Sequence, residues 1–389
     1  MTETTIATAV AGLRFWLAEE ALPLWSGAGF DCLRGAFVER LDLCGAPLTQ
    51  APRRVMVQAR QIYVFSHAAL LGWFPAGREL AAGAAEGMIA RYFEVDGGPG
   101  WAFSIHPDGA VCDGKRDLYA QAFALFGLAW AYRISPEPKF LKTALATLTM
   151  LDRHFSAPRG GYYTALPGEA DRRDQNPHMH LIEAMLAWHE ATGEARFLAR
   201  AGEIYAMMAA RFFQPESSIL PEYFDGRWTP QPGVRGRICE PGHHYEWSWL
   251  LRAYAARVGR AEEPIAPALK NFADRFGFDA DHLIVDEVLD DGAAQKTSRR
   301  CWPHTEAIKA EVAAFEAGDA GACARAARLI GKLRETFLGR PVAGGWIDHI
   351  DADGAPLVTF MPASTLYHVF LAAAEADRVW GRDDRTGMR

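Results

Sequence analysis

Residues 116–155 read RDLYAQAFALFGLAWAYRISPEPKFLKTALATLTMLDRHF. Apolar residues recur with helical spacing over 116–134, Ser135-Pro136 breaks the pattern, and the helical period resumes over 137–155. Two helices joined so tightly form an antiparallel hairpin. The design recurs along the chain. Helices are predicted at 53–73 and 77–95 around Phe74-Pro75-Ala76-Gly77, and at 177–192 and 195–213 around Thr192-Gly193. Further pairs fall at 242–258 and 263–277, and at 303–317 and 319–338 around Gly318. Segments 5–25 and 362–379 bring the total to about twelve.

Longer connections alternate with the short ones. They share an aromatic and glycine texture (Gly100-Trp101, Gly160-Gly161-Tyr162-Tyr163, Gly344-Gly345-Trp346), and Asp108-Gly109, Asp291-Gly292 and Asp353-Gly354 signal small hairpins within them. A helical hairpin repeated about every 60 residues cannot bury its apolar face alone. A closed ring lets each hairpin pack on two neighbours. No polar capping repeat is seen, which favours closure over an open solenoid. The expected fold is therefore all-α, an (α/α)6 barrel in one domain over residues 1–389. Closure gathers the long loops, and the starts of the helices after them, on one rim. Arg116, Asn176, His180, His243, Glu246 and Trp302 fall at such starts and can meet around one central funnel.

The chain's 389 residues are half hydrophobic, enough to bury a sizeable core. With 41 basic and 48 acidic residues and no Lys/Arg-rich run, no nucleic-acid partner is expected. No apolar run reaches membrane-spanning length. Met1-Thr2-Glu3-Thr4-Thr5 lacks a basic signal-peptide start, and the six cysteines form no Cys-x-x-Cys pair, so a cytoplasmic protein is expected. No P-loop, Gly-x-Gly-x-x-Gly or Gly-x-Ser-x-Gly is present. His-x-x-Glu alone is poor evidence for zinc, and no metal or cofactor is expected.

Imidazole is the side chain best suited to moving protons near neutral pH. Asn176 and His180 share one helix face within Asn-Pro-His-Met-His, whereas His178 points elsewhere. His243 and Glu246 share a face within Pro241-Gly242-His243-His244-Tyr245-Glu246. The helix N-terminus there favours neutral imidazole, and Glu246 either orients His243 or bonds substrate hydroxyls. A capping Glu and a packed His is the plainer reading. His368 lies in an apolar helix and reads by spacing as a core residue. Arg60, in another apolar helix, needs either an anionic partner or hydroxyl acceptors. Trp302 reads equally as a sugar-stacking face or a core ring. Arg116 and Asp117 read as capping charges, and Arg235 and Arg237 as solvated loop residues.

Taken together, six strings in order resemble the N-acylglucosamine 2-epimerase superfamily. They are Ala59-Arg60-Gln61, Asp117-Leu118-Tyr119-Ala120-Gln121, Asn176-Pro177-His178-Met179-His180, Pro241-Gly242-His243 through Glu246-Trp247, Trp302-Pro303-His304-Thr305-Glu306, and Tyr367-His368. The texture is most similar to the mannose isomerase branch. The resemblance implies the same barrel and a catalytic pair at His243 and His368 with a supporting His180. It also implies substrate binding by Arg60, Asn176, Glu246 and Trp302. Isomerase relatives often have Gln where His304 stands, which puts local sugar contacts in question. Arg235 and Arg237 fit a second family arginine equally.

The expected partner is a small monosaccharide, and the expected assembly a monomer or homodimer. The expected chemistry is aldose–ketose isomerisation through a cis-enediolate, with His368 as base, His243 in ring opening, and Arg60 and His180 on the oxyanion. A 2-epimerase is the alternative. A glycoside hydrolase would need Glu246 and Glu306 as opposed carboxylates. A non-catalytic sugar binder is the remaining reading.

Overall fold

The computed structural model describes residues 5–260 and 264–381. The reading at Met1–Thr4 and the predicted helix start at residue 263 lie outside them. Helix α1 (Ile6–Trp16) runs through a π-helical turn into α2 (Leu22–Gly27). Five hairpins follow. They are α3 (Val55–Leu71) with α4 (Gly77–Tyr92), α5 (Leu118–Ile134) with α6 (Pro138–Met150), and α7 (Asn176–Thr192) with α8 (Ala195–Met207). Then come α9 (Pro241–Val258) with α10 (Ile265–Phe276) and α11 (Cys301–Glu316) with α12 (Ala322–Thr336). Helix α13 (Thr365–Trp380) ends the described chain.

Helices α3, α5, α7, α9, α11 and α13 pack in sequence, and α13 packs back on α3, closing an inner ring. The outer helices each pack on their own inner partner. The sixth hairpin is made from the two ends of the chain, because α1 packs on α13 and α12. The fold is the expected (α/α)6 barrel. Burial follows position. Inner helix α5 is buried almost throughout, whereas outer helix α12 buries only Ala322, Ala326, Leu329, Ile330 and Leu333, one apolar stripe. The tight Thr192-Gly193 turn needs its glycine, which caps α7 at φ 72°. Among the described residues no helix is long and apolar enough to cross a membrane.

A short strand lies just before every inner helix. The strands are Arg53–Arg54, Arg116–Asp117, Arg173–Asp174, Ile238–Cys239, Arg299–Arg300 and Phe360–Pro362. Each of the first five pairs antiparallel with a strand in the next long loop, and the sixth pairs with Arg40–Asp42 in the first, so the rim closes as the helices do. Arginine in three of these strands is buried and bound to an aspartate: Arg53 to Asp31, Arg116 to Asp96, Arg299 to Asp279. Arg116 also donates from Nε to the Pro99 carbonyl at 2.8 Å. It belongs to the rim scaffold, so its expected place in the funnel is corrected.

The start of each of the first five inner helices carries a Gln or His that grips the preceding loop. The backbone N–H of Phe37 donates to Gln58 Oε1 at 2.9 Å, and that of Trp101 to Gln121 Oε1 at 3.0 Å. The N–H groups of Tyr162, Leu220 and Ile284 donate to Nε2 of His178, His244 and His304 at 3.0, 3.1 and 2.9 Å. Each of these imidazoles donates from Nδ1 to the carbonyl four residues back. His304 therefore does what glutamine does at Gln58 and Gln121, and the question it raised over sugar contacts is answered by the backbone it holds.

Burial pushes His178, His244 and His304 down to about 4. The unfolded chain takes up their protons below about 6.5, the folded protein only near 4. Stability is thus full above 6.5 and is lost as pH falls to 4, by on the order of 3 kcal/mol per imidazole. In urea unfolding at pH 7, His304→Gln is expected to be near neutral and His304→Leu to cost about 1–3 kcal/mol. Between pH 7 and 4.5, His304→Gln should lose less stability than the parent.

Candidate active site

Two residues beyond each gripping position, the inner helices turn a side chain to the ring's centre. Those positions hold Arg60, Phe123, His180, Glu246 and Glu306, with His368 at the equivalent place on α13. Three residues deeper stand Tyr63, Phe126, Glu183, Trp249, Lys309 and Leu371. One layer is thus rich in imidazole and carboxylate, and the other holds a buried lysine. Asn176, His243 and Trp302 come from the mouth side of the first layer.

His243 sits in a bonded chain. Its Nδ1 donates to Glu222 Oε2 at 2.9 Å, and Gln175 Nε2 donates to the same oxygen at 2.8 Å. Trp247 Nε1 holds Gln175 Oε1 at 2.6 Å. Glu240 Oε2 lies 3.9 Å from Nδ1. Burial alone would strip a proton from His243, but Glu222 and Glu240 outweigh it and hold the imidazole up at about 9. The expectation of a neutral His243 is corrected: full carboxylates at contact override the partial charge of a helix end. Burial in turn pushes Glu240 up to about 7 against the pull of His243. Asn176 meets the outer nitrogen, with Nδ2 3.0 Å from His243 Nε2, while Asn176 Oδ1 is buried without a hydrogen bond. A neutral ring accepts from Nδ2. An imidazolium donates to Oδ1 after a half-turn of the amide, so the asparagine serves both protonation states.

His368 is built the opposite way. Its Nδ1 lies 2.8 Å from Glu306 Oε1, and burial, then Arg60 and Lys309, push it well below the usual histidine range. Trp302 lies between the two imidazoles, with ring centroids 5.0 Å from His243 and 5.7 Å from His368. A Cβ on Gly242 would collide with the Trp302 ring, so glycine is what lets that ring approach.

Glu246 does not orient His243; Glu222, on the α8–α9 connection, does. Glu246 lies 3.9 Å from both His180 Nδ1 and Lys309 Nζ, and neither of its oxygens has a hydrogen bond within the protein, which is costly for a buried carboxylate. Sugar hydroxyls are donors that fit there. His180, pushed down to about 3 by burial, donates from Nδ1 to Glu183 Oε2 at 3.2 Å. The other Glu183 oxygen accepts from Tyr367 Oη at 2.5 Å. Arg60 has hydroxyl and carbonyl partners. It donates to Tyr119 Oη at 2.5 Å and to Ser364 O at 3.5 Å, and lies 4.1 Å over the Phe123 ring.

Arg235 stacks on Tyr223, and Arg237 is taken by Asp290 and Asp291. Among the described residues three groups have the donor atoms for a metal: His180–Glu183–Glu246, Glu222–Glu240–His243 and Glu246–Glu306–His368. In the third, the Lys309 ammonium already lies 2.5 Å from Glu306 and supplies the positive charge.

The family model for N-acylglucosamine 2-epimerase (GlcNAc 2-epimerase) matches residues 35–372. The chain belongs to this family. A mannose-6-phosphate isomerase of Rhizobium meliloti (strain 1021) is 37% identical over 93% of this chain and 95% of its own. A D-mannose isomerase of Pseudomonas cannabina pv. alisalensis is 25% identical over 92% and 91%. Among solved structures, cellobiose 2-epimerase from Spirochaeta thermophila superposes with a TM-score of 0.85 at 24% identity, covering 96% and 97%. A D-mannose isomerase gives 0.83 at 20%, covering 95% and 97%. Family and relatives make this chain an enzyme, a sugar isomerase or epimerase. Sequence reasoning missed Gln175, Glu183, Glu222, Glu240 and Lys309. Glu183 stands three residues past His180, a chosen residue on the same helix, and Lys309 three past Glu306, which was read only as a hydrolase carboxylate. Glu222 lies in a loop and carried no such signal.

His243 gains a proton affinity on folding. The stability this gives is complete below about 6.5 and is lost as pH rises through about 9, on the order of 3 kcal/mol. Glu222→Gln is expected to lower the His243 pKa by at least a unit in an NMR titration and to flatten the stability loss between pH 6.5 and 9. An unchanged His243 titration would show that Glu222 does not hold the proton.

Proposed function

We propose that the enzyme is an aldose–ketose isomerase acting on D-mannose or a related aldose such as D-lyxose. The observation that carries the reading is the pair of imidazoles facing one tryptophan in opposite protonation states, His243 charged and His368 neutral. One can give a proton while the other takes one. The relative at 37% identity, matched over nearly both lengths and named as an isomerase, supports isomerisation over 2-epimerisation.

In this mechanism His243 gives its proton to the ring oxygen and takes up the C1 hydroxyl proton in return, and the sugar opens. The C2 proton, now α to a carbonyl, passes to His368 Nε2. The electron pair forms the C1–C2 double bond of a cis-enediolate. His243 protonates O1 and then takes the O2 proton as His368 returns its own to C1, so the ketose results with both imidazoles as they began. Arg60 stabilises the developing oxyanion, which counts for most in a site closed to water. His180, with Nδ1 committed to Glu183, presents an acceptor at Nε2 and takes a substrate hydroxyl; it does not donate to the oxyanion. Glu246 and Asn176 bind further hydroxyls, and Trp302 covers a sugar face. Glu246 and Glu306 sit on neighbouring helices, and Glu306 is engaged by His368 and Lys309, so the pair does not suit hydrolysis.

The 37%-identical relative is named for the phosphorylated sugar, whereas the charge around this site favours an unphosphorylated one. The rim arginines Arg54, Arg172 and Arg300 are each already bound to a carboxylate, Glu39, Asp174 and Asp286. A phosphate dianion would meet those carboxylates and Glu240 with no cation left over from these three.

Incubation with mannose is expected to yield fructose by chromatography, with activity retained in EDTA and kcat/KM higher for mannose than for mannose 6-phosphate. Glucose without ketose would replace this reading with 2-epimerisation. His368→Ala and His243→Ala should each lower kcat by about 10²–10⁴-fold with the circular dichroism unchanged.

A further inference from the structure

Lys309 is fully buried on α11, one turn below Glu306, and none of the other five equivalent inner-helix positions carries a cation. Its Nζ lies 2.5 Å from Glu306 Oε2 and 3.9 Å from Glu246 Oε1, and 4.2 Å from the centre of the Trp249 ring. The other Glu306 oxygen, Oε1, is the one bonded to His368 Nδ1 at 2.8 Å. The three groups form one line from ammonium through carboxylate to imidazole.

We propose that Lys309 is a positioning residue that keeps Glu306 ionised, and thereby holds His368 in the tautomer with hydrogen on Nδ1 and the lone pair on Nε2. A carboxylate can only accept, so an ionised Glu306 forces the hydrogen onto Nδ1. A protonated Glu306 donates instead. It would then turn Nδ1 into the acceptor and place the hydrogen on Nε2, where it blocks removal of a substrate proton. Which form exists is a contest among the surrounding charges. Burial and then the neighbouring Glu246 leave the Glu306 carboxyl well above its usual range, and Lys309 is the counterweight that keeps it from rising further. Burial works against the ammonium too, but Glu306, Glu246 and Glu183 together hold it charged.

The remaining facing groups do not replace it. On α7, Glu183 adds negative charge and His180 is neutral. On α9, His243 is charged but bound to Glu222. On α13, Tyr367 donates to Glu183, and on α3 Arg60 is held by Tyr119 of α5.

This inference rests on the isomerase reading for its kinetic test and has a second test that does not. Kinetically, Lys309→Met is expected to lower kcat at pH 7 by about 10²-fold, within the range a general base contributes, with KM changed less than threefold. Glu306 ionises later once Lys309 is gone. The acid limb of the kcat profile should therefore move to higher pH, and the loss should shrink toward pH 9.5. Adding Lys309→Met to Glu306→Gln should cost less than threefold beyond Glu306→Gln alone, because no carboxylate remains to be held. That double variant removes the Glu306 charge together with its ammonium partner, and serves if Lys309→Met does not fold. Equal loss at every pH, or losses that multiply in the double variant, would overturn the proposal.

Independently, nitrogen NMR of histidine-labelled enzyme is expected to show His368 protonated at Nδ1 at pH 7. A hydrogen on Nε2 in the parent enzyme overturns the role of Lys309 whatever the substrate proves to be. Absence of turnover on any aldose with the Nδ1 tautomer in place would instead count against the isomerase reading alone.

Discussion

The barrel depends on a side chain gripping backbone. At the mouth of the first five inner helices a Gln or His takes the N–H of the preceding long loop, through Gln58, Gln121, His178, His244 and His304. A long loop carries polar backbone groups that must find partners when buried. These bonds provide them and fix where each helix starts relative to its loop. The strand pairs around the rim repeat the same constraint one layer out, and the buried Arg–Asp pairs tie it down. With every helix start fixed, the residues two positions on are bound to point at one another.

Such convergence sets the electrostatic problem at the centre. Glu183, Glu246 and Glu306, with His180 and His368, share a space served by Arg60 and Lys309, and each arrangement leaves a different group charged. The protein resolves this by unequal pairing. His243 has two carboxylates and keeps its proton. His368 has one carboxylate already claimed by an ammonium and loses it. Two imidazoles of the same intrinsic basicity are driven apart by their neighbours, the arrangement that acid and base roles require.

Much of this was legible in sequence. The helical period and its breakers located all twelve segments, most within a few residues, and the alternation of short and long connections led to ring closure. Arg60, Asn176, His180, His243, Glu246, Trp302 and His368 were all marked, and all of them lie around one centre. Two kinds of feature were not legible. Glu222 reaches His243 from a loop, and loop position follows no period. The protonation of His243 was inverted because a helix end was visible in sequence whereas the carboxylates beside it were not. Histidines with the same local texture also divided: His178, His244 and His304 hold backbone, whereas His180, two residues from His178, faces the centre.

The sequence alone determined the units: which segments are helices, which faces are apolar, and which side chains recur at the starts of the inner helices. Those are local properties, set by spacing along one chain. The tertiary structure decided which charges meet. The α1–α13 hairpin, the Glu222–His243 contact and the Lys309–Glu306–His368 line each join groups from different elements or depend on how those elements close. A pKa or a tautomer is a sum over neighbours in space, so it exists only once the ring has shut.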